Sequence, residues 1–165
     1  WQFSNYLCIA MLSRLRMFAP ATRRWSSVTS SAKGLDFTTR INFGGSSEIV
    51  AELPPMPGQA CLNPNPKNLV LSGLAACTSM TLQHFTSTLV KDGKLPADAL
   101  KEIKVEVQDK FEAGKQVPDS IHVSVDLVGN LTPDQKKMIF QAIGFCPVKQ
   151  MLSGKITGGI HDKLL

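Results

Sequence analysis

Pro66-Lys67-Asn68-Leu69-Val70-Leu71-Ser72-Gly73-Leu74-Ala75-Ala76-Cys77-Thr78-Ser79-Met80-Thr81-Leu82 decides how this chain folds. Asn65 just before it supplies a capping side chain, and Pro66 suits the first helical position, where no N–H is needed. No breaker follows before Asp92-Gly93, so the spacing predicts one long helix from Pro66 to that stop. Before Gln83 there is little room for a polar face. A helix apolar nearly all round has to be covered, either by a larger core or by another chain. Ser72, Gly73, Ala75 and Ala76 are small enough to let a partner approach closely.

Working outward, the flanking segments read as strands. Phe37, Thr39, Ile41 and Phe43 alternate with Asp36, Thr38, Arg40 and Asn42. After Gly44-Gly45-Ser46-Ser47 a second extended run carries Ile49, Ala51 and Leu53, which predicts a hairpin. Pro54, Pro55, Pro57, Gly58, Pro64 and Pro66 make the next stretch an irregular loop, since proline offers no donor to a sheet ladder. Beyond the helix, Ile103, Val105 and Val107 alternate with Lys104, Glu106 and Gln108; Ile121, Val123, Val125 and Leu127 do the same against His122, Ser124 and Asp126. Two more strands follow.

Thr132-Pro133-Asp134 then opens a second helix with Met138, Ile139, Ala142 and Ile143 on its apolar stripe, ending at Gly144. Pro147 is expected to disrupt helix there, and a turn through Met151-Leu152-Ser153-Gly154 leads to a last short strand around Ile156.

At 165 residues, 43% apolar and 19% charged, the chain is long enough for one compact domain with a buried core. The formal charge of +5 is concentrated at the start. Arg14, Arg16, Arg23 and Arg24 are four of the eighteen cationic residues, and the other fourteen face thirteen acids. A nucleic-acid binder concentrates Lys and Arg within the fold itself, so no nucleic acid is expected as partner.

Residues 1–30 read as a leader and 31–165 as the folded domain. The leader holds Arg, Ser and apolar residues, and the first carboxylate is Asp36. That composition fits a mitochondrial transit peptide and predicts the matrix as destination. Residues 1–10 read as an upstream extension. A secretory signal is the alternative, because residues 6–12 form a short apolar run, but no charged segment precedes it. No stretch reaches the roughly 18 consecutive apolar residues of a membrane span. Four cysteines, at 8, 61, 77 and 146, are too few and too unevenly placed for a disulfide scaffold.

Cys77 lies in the phrase Ala75-Ala76-Cys77-Thr78-Ser79-Met80-Thr81 and Cys146 in Phe145-Cys146-Pro147-Val148. Neither has the Cys-x-x-Cys spacing of a metal knuckle or a thioredoxin-like motif, so any partnership between them is made by folding. The first phrase with its flanks, Pro66 to Leu82, and the second, Cys146-Pro147-Val148-Lys149-Gln150-Met151-Leu152-Ser153-Gly154, resemble the two signature segments of the OsmC/Ohr family of osmotically inducible and organic hydroperoxide resistance proteins. The resemblance runs from about Leu35 to the C-terminus in the same element order. It implies an α+β fold with antiparallel sheets wrapped around long central helices, and an intertwined homodimer with active sites near the subunit interface.

The resemblance also implies thiol peroxidase chemistry on small organic hydroperoxides. Cys77 is then the peroxidatic thiol and Cys146 the resolving one. A thiolate attacks peroxide oxygen, and the second thiol captures the resulting sulfenic acid as a disulfide. No bound cofactor or metal is implied. An external dithiol, often a lipoyl group in this family, reopens the disulfide by exchange, so lipoylated proteins join the expected partners.

Cys77 sits about eleven residues into its helix, roughly 15 Å from the N-terminus, where the helix dipole helps it little. Burial raises a thiol's pKa, so a cation has to approach. Arg40 is the one arginine outside the leader, and the resemblance, which places an N-terminal-strand arginine beside the peroxidatic thiol, makes it the candidate. Where the family usually has a glutamate after the helix-opening proline, this chain has Lys67 and Asn68. Glu48 or Glu52 on the second strand, or Asn68 itself, are the substitutes available to hold the arginine.

Other residues read as structural. Cys61, in the Pro-rich loop, is a small hydrophobe. His84 lies near Cys77's helical face without a second clustered ligand, and His122 and His161 have no evident partner. Two functions of different class stand open: the peroxidase with Cys77, Cys146 and Arg40 as its working set, and a catalytically weak or inactive dimer of the same fold that binds an apolar ligand or partner.

Overall fold

The structure, a computed structural model, describes residues 27–32, 37–44, 47–53, 60–115 and 117–154. The chain divides into two compact units, with the division after Val50. The N-terminal one carries strands β1 (Thr29–Ala32) and β2 (Thr38–Asn42) and the start of β3 (Glu48–Glu52), in the order β1-β2-β3. β1 and β2 are antiparallel, with Ser30 opposite Ile41 and Ser31 opposite Arg40. The predicted hairpin is β2–β3. Gly44 turns the chain at φ +82, a region glycine enters without a Cβ clash. The turn is closed by the Gly44 N–H donating to Asn42 Oδ1 at 2.7 Å and the Phe43 N–H donating to the Ser47 carbonyl at 3.3 Å.

The second unit holds α1 (Pro66–Lys91), β4 (Leu100–Lys110), β5 (Ser120–Gly129), α2 (Pro133–Gln141), a 3₁₀ turn (Ala142–Phe145) and α3 (Pro147–Leu152). This is the α+β arrangement of antiparallel strands and helices that the sequence predicts. α1 starts and stops where its caps say it should. Asn65 accepts the Asn68 N–H at 2.9 Å, Pro66 takes the first position, Asp92 closes the end, and Gly93 leaves at φ +69.

Its buried residues Leu74, Thr78, Thr81, Leu82, Phe85 and Leu89 recur every three or four positions, and that stripe packs on β4 and on the region from α2 to α3. β4 and β5 pair antiparallel with Val105 opposite Val125. Val105, Val107, Val123 and Val125 turn toward the interior, and Lys104, Glu106 and Ser124 turn to solvent.

α2 opens with a complete capping box: Thr132 accepts the Gln135 N–H at 3.2 Å, and Gln135 accepts the Thr132 N–H at 2.9 Å. Pro147 does not end helical structure as the sequence reading expects. The ring occupies the first position of α3, where a missing N–H costs nothing, and Cys146 becomes the residue that precedes the helix. The turn expected through Met151-Leu152 is accordingly the last part of α3.

The face of α1 opposite that stripe is exposed among the described residues. Met80 on that side is 66% exposed, and Val70, on the flank of the stripe near the start of the helix, is exposed as well. Residues 1–26 of the expected leader, the Pro54–Gly58 part of the loop, and the short strand around Ile156 lie outside the described residues. No helix among the described residues is long and apolar enough to cross a membrane.

Candidate active site

Cys77 lies at the edge of the buried stripe of α1 and is half-buried; Cys146, between the 3₁₀ turn and α3, is 0% exposed. The fold brings the two thiols together, close enough that each shifts the other's proton affinity. Cys146 is fixed by its backbone: its N–H donates to the Ile143 carbonyl at 3.1 Å, and its carbonyl accepts the Gln150 N–H at 3.0 Å. The Gln150 side chain donates to the Gly144 carbonyl at 3.0 Å and ties α3 back to the turn. Cys146 precedes α3 without a side-chain cap bond, and the amides of Val148 and Lys149 at the start of that helix favour its thiolate.

These surroundings divide the two thiols. Burial pushes Cys77 above the usual thiol value; the Val148 N–H offsets part of this, and contact with Cys146 pushes it up again. Burial also pushes Cys146 up, but the Lys149 N–H, the Cys77 thiol, the Thr78 hydroxyl and the Val148 N–H together outweigh it and hold Cys146 below the usual value. The surroundings thus favour the thiolate more at Cys146 than at Cys77. The Val148 amide faces both sulfurs.

Thr78 and Thr81 complete the immediate surroundings. Thr81 donates its hydroxyl to the Cys77 carbonyl at 2.8 Å and touches the Cys77 sulfur. Thr78, fully buried, donates to Cys146 Sγ at 3.7 Å. The sequence reading passed over both. The signal was a hydroxyl at position 78 in the apolar stretch of the helix, since a buried hydroxyl needs a partner.

Arg40 lies on β2 in the N-terminal unit, largely exposed, with its guanidinium 2.8 Å from the Glu48 carboxylate. Of the substitutes named for the family's glutamate, Glu48 is the one that pairs with the arginine. Glu52 is engaged elsewhere. Its carboxylate accepts the Leu62 N–H, the Asn63 N–H at 3.0 Å and the Asn63 side chain at 2.9 Å, and so holds the loop before α1. The Asn68 backbone serves the Asn65 cap. The Lys67 ammonium, just after the helix-opening Pro66, lies 4.4 Å from the centroid of the Phe111 ring.

Cys61 is not lodged in a core. It is half-buried beside Glu52, and burial together with that carboxylate keeps its thiol protonated. His84 is exposed, and His122 Nε2 lies 3.0 Å from the Ser120 hydroxyl. No cluster of three or more His, Cys, Asp or Glu side chains that could hold a metal occurs among the described residues. A half-exposed thiol in contact with a buried, hydrogen-bonded one can exchange two electrons by making and breaking a single S–S bond.

Comparison with known proteins agrees with this architecture. The fold is similar to an OsmC-like protein from Mycoplasma pneumoniae, with a TM-score of 0.63 at 16% identity over 81% of this chain and 90% of that one. It is similar to an OsmC-like protein of unknown function from Vibrio cholerae, with a TM-score of 0.57 at 17% identity over 78% and 93%. It is also similar to an organic hydroperoxide resistance protein OsmC from Legionella pneumophila, with a TM-score of 0.55 at 16% identity over 80% and 93%. No curated protein matches the sequence at a significant level. The profile of the OsmC-like protein family matches residues 58–160, a span that holds α1, the β4–β5 pair and both thiols, and the chain belongs to that family.

Proposed function

We propose that this protein is a thiol-dependent peroxidase that reduces small organic hydroperoxides. The observation that carries the reading is the contact between two thiols of unequal accessibility, Cys77 half-buried and Cys146 fully buried. A relative of the same fold is named for organic hydroperoxide resistance, which supports the substrate class.

The Cys77 thiolate attacks the terminal peroxide oxygen. The O–O bond breaks, the alkoxide leaves and takes a proton to become the alcohol, and Cys77 is left as a sulfenic acid. Cys146, already biased toward thiolate by Lys149, Val148 and Thr78, attacks the Cys77 sulfur. The S–O bond breaks, hydroxide leaves as water, and the Cys77–Cys146 disulfide forms. A dithiol such as a lipoyl group then reduces that disulfide by two exchanges and ends as its own cyclic disulfide.

The first step has a requirement that burial opposes, because the nucleophile is the thiolate and Cys77 is held protonated. By resemblance alone Arg40 is the cation proposed to lower it, with its partner Glu48 in place of the family's glutamate. The side of α1 that carries Met80, exposed among the described residues, and the exposed Val70, Phe145 and Met151 are the surfaces assigned to a homodimer contact. An address in the mitochondrial matrix, from the leader, places the protein beside lipoylated enzymes.

Turnover is the test. The full chain is given cumene hydroperoxide or hydrogen peroxide with dihydrolipoamide as reductant. The reading requires preference for the organic peroxide and loss of turnover in Cys77→Ser; absence of turnover in the native chain contradicts it.

The inactive-dimer reading has one observation in its favour. An open groove of about 380 Å³ lies between the second half of α1 and the start of β4, with Val90, Leu100 and Ile103 in its wall, and neither Cys77 nor Cys146 lines it. Under that reading an apolar ligand binds Cys77→Ser as well as it binds the native chain.

A further inference from the structure

Threonines inside a helix usually return the hydroxyl to a carbonyl one turn back. Three on α1 do so: Thr81, Thr86 and Thr88 donate to the carbonyls of Cys77, Leu82 and His84 at 2.8, 2.8 and 3.1 Å. Thr78 departs from the pattern. Its hydroxyl is turned across to the segment before α3 and donates to Cys146 Sγ at 3.7 Å, in a place where neither residue has any exposed surface. Cys146 thus collects donors from two directions, Thr78 and Cys77 from α1 and the Lys149 and Val148 amides from α3. Cys77, by contrast, keeps part of its surface open.

Two rules of thiol–disulfide exchange apply to that asymmetry. The attacking thiolate must reach the sulfur it attacks, and the better leaving group is the thiolate that is more stable once released. Both select the same direction here. We propose that Thr78 is a positioning residue for Cys146 as leaving group, so that an external dithiol enters the disulfide at Cys77 and never at Cys146. The inference rests on the peroxidase reading only in taking the Cys77–Cys146 disulfide as a working intermediate.

In the step itself, a thiolate of the dithiol forms a bond to Cys77 Sγ, the Sγ–Sγ bond breaks, and its electron pair stays on Cys146, received by the Thr78 hydroxyl and the two amides. The second thiol of the reductant, as thiolate, attacks the reductant's first sulfur, and the bond from that sulfur to Cys77 Sγ breaks. That closes the cyclic disulfide and releases Cys77, and the two protons given up by the dithiol end on the two protein sulfurs.

The test makes the disulfide without peroxide. The full chain is oxidised with diamide and treated briefly with N-acetylcysteine; freed thiols are alkylated, and peptides are mapped by mass spectrometry. The expected result is the mixed disulfide on Cys77 and the alkyl group on Cys146. Thr78→Val, which keeps the shape and loses the hydroxyl, is expected to reopen about two- to tenfold more slowly, the range a single hydrogen bond covers, and Thr78→Ser to restore the rate. An adduct on Cys146, equal slowing in Thr78→Val and Thr78→Ser, or failure of diamide to link the two cysteines overturns the proposal. Peroxide consumption is measured separately: a chain that reopens at Cys77 but consumes no peroxide retains this inference and loses the peroxidase reading.

Discussion

The Arg40 guanidinium lies 2.8 Å from the Glu48 carboxylate, joining β2 to β3. Both side chains are substantially open to water, at 66% and 43% exposed, and ion pairs in that setting contribute little to stability. Glu48→Gln should therefore change unfolding free energy by less than about 1 kcal/mol in a denaturant titration. If Glu48 orients the arginine for Cys77, the same variant should slow peroxide consumption severalfold. A variant with native rate contradicts the orienting role.

The pH profile tests Arg40 directly. Burial holds Cys77 above the usual thiol value, so with no cation the thiolate fraction is small at neutral pH and grows with pH. In Arg40→Met, sulfenic acid formation should rise about tenfold per pH unit through the neutral range, as expected for a thiol well below its pKa. The native chain should show a shallower rise. Superimposable profiles would mean that Arg40 does not act on Cys77.

Glu52 gives a prediction about stability. Hydrogen bonds from the Asn63 side chain and amide and from the Leu62 amide hold its carboxyl below the ordinary 4.5. For a carboxyl depressed by folding, the contribution to stability is present above the unfolded value and is lost as pH falls through the folded one. Glu52→Ala should be less stable than the native chain at neutral pH, and the difference in thermal midpoint should vanish as the pH drops below 4.5. A difference that persists in acid would assign the loss to packing.

Gly129, at the end of β5, sits at φ +153, and a Cβ there would lie 2.1 Å from the Ala99 carbonyl oxygen. The obstacle is backbone and cannot swing aside. Gly129→Ala should cost more than about 1 kcal/mol in chemical denaturation, beyond the usual effect of glycine replacement at compatible sites.

Much of the scaffold was legible because its signals are local. Asn65-Pro66 and Asp92-Gly93 bracket α1 to within a residue, and period-two alternation locates β4 and β5. β1 was not legible: Thr-Ser-Ser-Ala carries no apolar alternation, and the strand exists because β2 offers it a ladder. Pro147 was misread because proline both ends helices and begins them, and the choice depends on the turn before it. The contact between Cys77 and Cys146 was expected from the resemblance, but the partner of Thr78 lies 68 residues away in sequence and no local rule points to it.

The most direct test of the central claim is a single turnover. The reduced chain is mixed with a stoichiometric amount of cumene hydroperoxide and no reductant, quenched with an alkylating agent, and mapped by mass spectrometry while the alcohol formed is counted. The account predicts one Cys77–Cys146 disulfide for each alcohol released, and a sulfenic acid trapped on Cys77 in Cys146→Ser. Two alkylated thiols with the peroxide unconsumed would contradict it.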